Sequence, residues 1–182
     1  MAQAKRKKRF FDVEMPVIKS QTQLIGYGIE DLKGRTIKYD LTRILRGKSM
    51  ILYLNVILNE NKASSVPRKL QLMPYFLRRM TRKGTNYVED SFTTECKDAE
   101  VKIKPFLITR RKVSKAVRKA LRNKAKEEII NYIKDKTYNQ IFEDILKNQM
   151  QRTLSLILKK IYPLSLCEVR FFEVLKEKAS EE

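Results

Sequence analysis

The 26 residues 101–126 hold eleven lysines and arginines and no acid. They are Lys102, Lys104, Arg110, Arg111, Lys112, Lys115, Arg118, Lys119, Arg122, Lys124 and Lys126. Unpaired cations are not buried, so any structure formed here must turn them outward. Ser114 can cap a helix in which Val117, Leu121, Ala125, Ile129 and Ile133 recur every fourth residue. Such a helix has one apolar stripe and a cationic remainder. Within the run no acid offers an i,i+4 partner, so repulsion destabilises the isolated helix and an external anion relieves it. Arginines can grip a phosphate with two hydrogen bonds, and lysines act as point charges.

The charge is uneven along the chain. Lysine and arginine number 40 against 21 acids, a net charge of +19 over 182 residues. Residues 1–126 carry +20 of it and residues 127–182 carry −1. A second cluster, Lys5-Arg6-Lys7-Lys8-Arg9, opens the chain, and Arg78, Arg79, Arg82 and Lys83 form a third. This excess implies a polyanionic partner, nucleic acid ahead of an anionic membrane surface. A membrane-surface helix carries bulky apolar residues opposite its lysines, whereas the basic segment here has only small or sparse ones. No apolar run approaches the ~20 residues of a membrane span, and no apolar h-region follows the N-terminal charges. Histidine is absent, which removes the commonest general base and transition-metal ligand. Cys96 and Cys167 are too few for a zinc site or a disulfide framework and suit a reducing compartment.

At 42% apolar, the chain is too hydrophobic to be disordered throughout. Residues 1–9 are expected to be a disordered basic arm, and residues 10–182 one α+β domain. Within it, 10–110 is mainly β, 111–163 mainly helical, and 164–175 a strand. All five glycines precede residue 85. Met15-Pro16 turns the chain, and 17–27 reads as a polar strand. In 36–41, Ile37, Tyr39 and Leu41 alternate with polar residues. The segment 49–58 is the best strand, apolar on both faces, which predicts cover on both. Residues 59–67 read as a polar loop, and 74–82 as a short helix with Pro near its first turn and Gly84 as its stop. Residues 87–96 and 101–109 read as a hairpin, with Pro105 predicting an edge or a bulge. Thr137 and Gln140 match a capping box. The apolar set from Ile141 to Ile161 ends at Pro163, with Asn148 dividing it, and 167–175 alternates as a last strand.

Several segments, in order, carry a resemblance. Phe11-Asp12-Val13 is followed by Pro16, and Leu32-Lys33-Gly34-Arg35 precedes an alternating strand. Thr94 and Asp98 lie in the hairpin, and Thr109-Arg110-Arg111 leads into a helix containing Val117-Arg118-Lys119. Ile161-Tyr162-Pro163-Leu164 precedes Glu168-Val169-Arg170. Together, over roughly residues 10–175, these resemble the archaeal and eukaryotic small-subunit ribosomal protein S3Ae family. The resemblance implies a mostly antiparallel β-barrel-like core flanked by helices, with a final strand returning to the sheet. It also implies a place on the platform of the small ribosomal subunit, near the 3′ end of its RNA. The chain departs from the family in a shorter 58–82 region and in Asp98-Ala99 at the hairpin turn, where the family has Asp-Gly.

The cations expected to contact ribosomal RNA are Lys5, Arg6, Lys7, Lys8, Arg9, Lys33, Arg35, Arg78, Arg79, Arg82, Arg110, Arg111, Lys112, Lys115, Arg118, Lys119 and Arg122. Phe10, Phe11, Tyr27 and Tyr75 are candidate platforms for unpaired bases, although aromatics more often belong to a core. Gly26-Tyr27-Gly28 lacks the Lys-Ser/Thr of a phosphate loop and reads as a bend. Asp90, Glu95, Asp98 and Glu100, with Lys102 two residues on, have the spacing of some metal-dependent nucleases. The expected function is nevertheless structural. The partners are small-subunit ribosomal RNA and neighbouring ribosomal proteins, with no membrane and no small-molecule substrate. No catalytic residue, metal site or cofactor is expected beyond the Mg²⁺ that RNA itself holds. The location is ribosome-bound, in the cytoplasm. A metal-dependent RNA-processing nuclease using Asp90, Glu100 and Lys102 is the alternative.

Overall fold

Alternation builds the front of the chain and four-residue periodicity the back. The computed structural model describes residues 7–45, 47–59 and 62–178. In chain order these form strands β1 (Arg9–Met15) and β2 (Ser20–Gly26), a 3₁₀ turn (Glu30–Leu32), β3 (Thr36–Asp40), β4 (Met50–Asn59) and β5 (Lys62–Leu72). Helix α1 (Pro74–Met80), β6 (Tyr87–Glu89), β7 (Phe92–Glu95) and β8 (Ala99–Thr109) follow. Helices α2 (Lys115–Lys134), α3 (Tyr138–Leu146) and α4 (Gln149–Leu158) lead to the last strand, β9 (Leu164–Glu177). The class is α+β, as expected. The nine strands pair along the path β2-β1-β5-β9-β8-β6, with β3 on β4, β4 on β5 and β7 on β8. Among the described residues no ladder joins β2 to β6. The sheet is therefore open, which corrects the barrel-like core, because a barrel requires its end strands to pair.

Two compact units make up the chain, residues up to 39 with 52–68, and residues 40–51 with 69 onward. In the first unit β1 and β2 form an antiparallel hairpin from Arg9↔Gly26 to Met15↔Ser20. On its other side β1 runs parallel to β5, with Val13 opposite Ala63. After β2 the chain bends, and the Asp31 carboxylate accepts from the Tyr27 and Gly28 amides at 3.1 and 3.2 Å. Gly34, at φ +76°, lets its own amide donate to the Val56 carbonyl at 2.9 Å. Val13, Met15, Leu32, Ile37, Leu52, Leu54, Val56 and Ala63 form the core of this unit. The opposite face of β4 is only partly covered: Tyr53 is half-buried and Ile57 exposed, so two-sided cover is not achieved. The largest departure is in the segment 59–67, expected as a loop: β4 reaches Asn59 and β5 starts at Lys62. Over 62–67 its buried positions are Ala63, Ser65 and Pro67, too small and polar to read as a strand, and Ser65 Oγ donates to the Glu14 carbonyl.

The second unit is organised on β8, which pairs with β9 on one side and with β6 and β7 on the other. Pro105 sits at a register shift in the β8–β9 ladder, the bulge its missing amide predicts. The strand expected over 87–96 is two short strands parted at Asp90-Ser91, where Asp90 Oδ1 accepts from the Ser91 amide. α1 starts with Pro74 and ends before Thr81, and Gly84 adopts φ +83° in the turn beyond. Ser114 Oγ accepts from the Val117 amide to cap α2, and Leu121, Ala125, Ile129 and Ile133 are its buried stripe. Thr137 and Gln140 form the expected capping box at α3. Asn148, left-handed at φ 58°, parts α3 from α4. Phe142 meets Phe172 of β9 edge-on, centroids 4.8 Å apart, which fastens α3 to the sheet.

Candidate nucleic-acid interface

The basic helix separates its cations by position. Lys115, Lys119, Arg122 and Lys126 fall at i, i+4, i+7 and i+11, a single exposed row beside the buried stripe. Arg110, Arg111 and Lys112 lead into the helix and are exposed as well. The side chains of Arg110, Arg111, Lys112, Lys115 and Lys119 have no hydrogen bond or ion pair among the described residues. The first turn of α2 contains no acid, so the positive end of the helix dipole adds to the field of these five cations. A diffuse anion is attracted there from several directions at once.

Other cations of the same run are occupied or enclosed within the fold. Arg122 Nε donates to the Glu89 carbonyl at 3.2 Å. Arg118 is half-buried, and its Nε is enclosed without a partner. Lys126 lies 5.6 Å from the centre of the Phe92 ring. Lys124 pairs with Glu128 at 3.0 Å and Glu127 at 3.4 Å, and those hydrogen bonds hold its pKa above the usual lysine range. The helix is thus cationic over its first half, and its first intrahelical ion pairs are made by Lys124.

The remaining expected positions are spread through the chain. Arg78, Arg79 and Arg82 are exposed at and after the end of α1. Arg79 donates to the Gly47 carbonyl and stacks on Phe76, while Arg78 lines a groove with Tyr87, Phe106 and Arg170. Tyr87 and Arg170 were not singled out by sequence, because strand pairing alone brings them beside Arg78. In the first unit Lys7, Lys8, Arg9, Lys33 and Arg35 are exposed. Arg35 donates to the Ile25 carbonyl at 2.7 Å, and Lys8 lies 5.5 Å from the Tyr27 ring centre. Lys5 and Arg6 lie outside the described residues. Of the candidate platforms, Phe10, Tyr27 and Tyr75 are 68, 52 and 46% exposed, and Phe11 is half-buried.

Of the hairpin carboxylates, Glu95 and Glu100 stand opposite each other in the β7–β8 ladder, but no third acid joins them among the described residues. Glu100 and Lys102 share a face of β8, as alternation requires, but Lys102 stands opposite Glu173. Glu95 pairs with Lys178 at 2.7 Å, and the hydrogen bond from that ammonium holds its carboxyl below the usual range. Asp90 turns the chain between β6 and β7. Among the described residues no three acids or cysteines come together as metal ligands. Burial pushes the Cys167 thiol up to about 12, although the residue as a whole is half-buried. Cys96 is buried, with Sγ 3.0 Å from the Ala99 carbonyl.

Comparison with known proteins gives this surface a setting. The sequence profile of the Ribosomal S3Ae family matches residues 2–178. The small ribosomal subunit protein eS1 of Methanothermobacter thermautotrophicus is 30% identical over 110 residues, 60% of this chain and 56% of that protein. The match therefore spans little more than half of that relative. The protein of the same name from Nanoarchaeum equitans is 22% identical over 175 residues, 92% of this chain and 88% of its own length. That of Saccharolobus islandicus is 27% identical over 158 residues, 85% of this chain and 73% of its own length. Only Met1 and the last four residues fall outside the family match, and the chain belongs to the ribosomal S3Ae family.

Proposed function

We propose that this chain is a structural constituent of the small ribosomal subunit and binds ribosomal RNA through its basic arm and the first half of α2. The observation that carries the reading is the set of five exposed cations from Arg110 to Lys119, without a partner among the described residues, at the start of a helix with no acid in its first turn. Each phosphate they neutralise releases condensed counterion, a gain that weakens as salt rises. Recognition of this kind reads backbone shape and charge rather than base sequence. The family and the names of its members support a role in the small subunit, and the resemblance supports a place on its platform near the RNA 3′ end. The near-neutral segment from Glu127 onward is the side offered to neighbouring ribosomal proteins. The role is non-enzymatic and needs no cofactor, and it places the chain on cytoplasmic ribosomes.

Sedimentation of a lysate tests this. The chain is expected with small subunits in near-stoichiometric amount and is released by high salt. A chain that stays in the soluble fraction contradicts the reading. Reproducible Mg²⁺-dependent RNA cleavage by the purified chain, abolished by both Asp90→Ala and Glu100→Ala, would replace it with a nuclease.

A further inference from the structure

Beside α1 the second unit has a groove lined by both aromatic and charged residues. Phe106 is buried at its floor, and Tyr87 stacks on it with centroids 5.9 Å apart and planes at 21°. Tyr87 is still 54% exposed, so the surface it offers is the side away from Phe106. Leu77 supplies an apolar wall. Arg170 and Glu89 also line the groove and pair at 2.8 Å, which neutralises the one acid there. Arg78, on the rim, is exposed with no partner among the described residues, so the groove carries one uncompensated guanidinium.

We infer that this groove holds an unpaired nucleotide of the bound RNA, its base against Tyr87 and its phosphate on Arg78. An aromatic platform with an adjacent free cation matches the two halves of a nucleotide, a flat π-system and an anion. An apolar peptide segment would cover the platform but leave the guanidinium facing it. A base paired in a duplex cannot enter, because its faces are already stacked. The groove also adjoins the basic helix, since Arg122 binds the carbonyl of the same Glu89 whose carboxylate holds Arg170. The inference rests on the RNA-binding reading and adds to it a site for a single-stranded residue.

The test uses the full chain, a short single-stranded RNA carrying one 2-aminopurine, and a blunt RNA duplex. Wild type is expected to quench the 2-aminopurine on binding. Tyr87→Leu, which keeps apolar volume, is expected to lose the quench and to weaken single-strand binding about 5- to 100-fold, the range for one stacked base. Its duplex binding is expected to stay within about twofold of wild type, because phosphate contacts are unchanged. Arg78→Gln alters only a surface side chain and carries the test if Tyr87→Leu fails to fold. It is expected to lower the single-strand salt slope by about 0.7, one contact, and to leave the duplex slope unchanged. Single-strand affinity and quench unchanged in both variants would overturn the proposal while leaving the RNA reading intact. So would loss of binding to a small-subunit protein with RNA binding unaffected, which would make the groove a protein contact. A wild type that binds neither RNA would overturn both readings.

Discussion

Arg122 Nε donates to the backbone carbonyl of Glu89 at 3.2 Å, which ties the basic helix to strand β6. By composition Arg122 is equivalent to Arg110 and Arg111, but its geometry makes it part of the scaffold. Arg122→Gln is therefore expected to lower stability by about 1 kcal/mol, the net worth of such a bond. Replacing Arg110 and Arg111 together by Gln is expected to leave stability unchanged. That pair should instead weaken duplex RNA binding and reduce the salt slope by about 0.9 per lost contact. Denaturant melts and RNA titrations at several salt concentrations separate the two. If Arg110→Gln/Arg111→Gln melts early yet binds RNA at full strength, the segment before α2 is structural and the interface lies elsewhere.

Cys167 gives a pH dependence whose sign is fixed. Burial, and then the nearby Glu168 carboxylate, push its thiol from 9.0 up to about 12. The folded state therefore keeps this proton at pH values where the unfolded chain releases it. Its contribution is fully present below about 9 and is lost as pH rises toward 12. The stability difference between wild type and Cys167→Ala should therefore shift against wild type as pH is raised through that window. At neutral pH, iodoacetamide should not label Cys167 until the chain is unfolded, because the thiol and not the thiolate is present. Rapid labelling of the native protein at Cys167 would contradict the burial that the geometry gives.

Leu154 and Leu158 lie on the inward side of α4, 5 and 0% exposed. Leu158→Asp would bury an unpaired carboxylate, and is expected to cost on the order of 4 kcal/mol or more. RNA binding should then fail only with the fold, so that any folded fraction binds with the wild-type salt slope. A folded Leu158→Asp protein with a reduced slope would mean that α4, and not α2, faces the nucleic acid.

What the sequence reveals depends on whether a signal is local. Ser114 before a four-residue apolar period, Thr137 with Gln140, and Asn148 between two apolar runs each report one turn of chain, and each element lies where they place it. Pro105 reports a bulge because its missing amide disturbs one ladder position. The first half of β5 is not legible as a strand because its inward positions, Ala63, Ser65 and Pro67, are small. Their burial follows from close approach of neighbouring strands, not from hydropathy. Openness of the sheet is likewise a property of strand pairing that no single strand encodes. The exposed cations of the interface were legible as charge, but which of them the fold occupies was not. Glu89, the acceptor for Arg122, is 33 residues away. The groove beside α1 shows the same limit, since Arg78, Tyr87 and Arg170 meet only through the β6–β8–β9 ladder.

The junction between α3 and α4 joins three of these distant segments. Lys48 Nζ donates to Asn148 Oδ1 at 2.8 Å and pairs with Glu168, and the Lys48 and Glu168 side chains are only 11 and 13% exposed. Asn148 itself holds φ 58°, ψ 21°, a conformation that asparagine and glycine accept and alanine resists. Three substitutions separate the contributions. Asn148→Gly keeps the backbone and removes one acceptor, for a loss of about 1 kcal/mol. Asn148→Ala removes the acceptor and adds left-handed strain, raising the loss to about 2–3 kcal/mol. Lys48→Met leaves the Glu168 carboxylate enclosed without its cation, and is expected to cost about 3–5 kcal/mol. Adding Glu168→Leu to Lys48→Met should recover most of that loss, because the unpaired charge and not the missing contact is what destabilises. Equal stability of Asn148→Gly and Asn148→Ala would show that the backbone at this junction is not held left-handed. A Lys48→Met protein as stable as wild type would show that Glu168 reaches water and that the pair does not fasten β9 to the segment before β4.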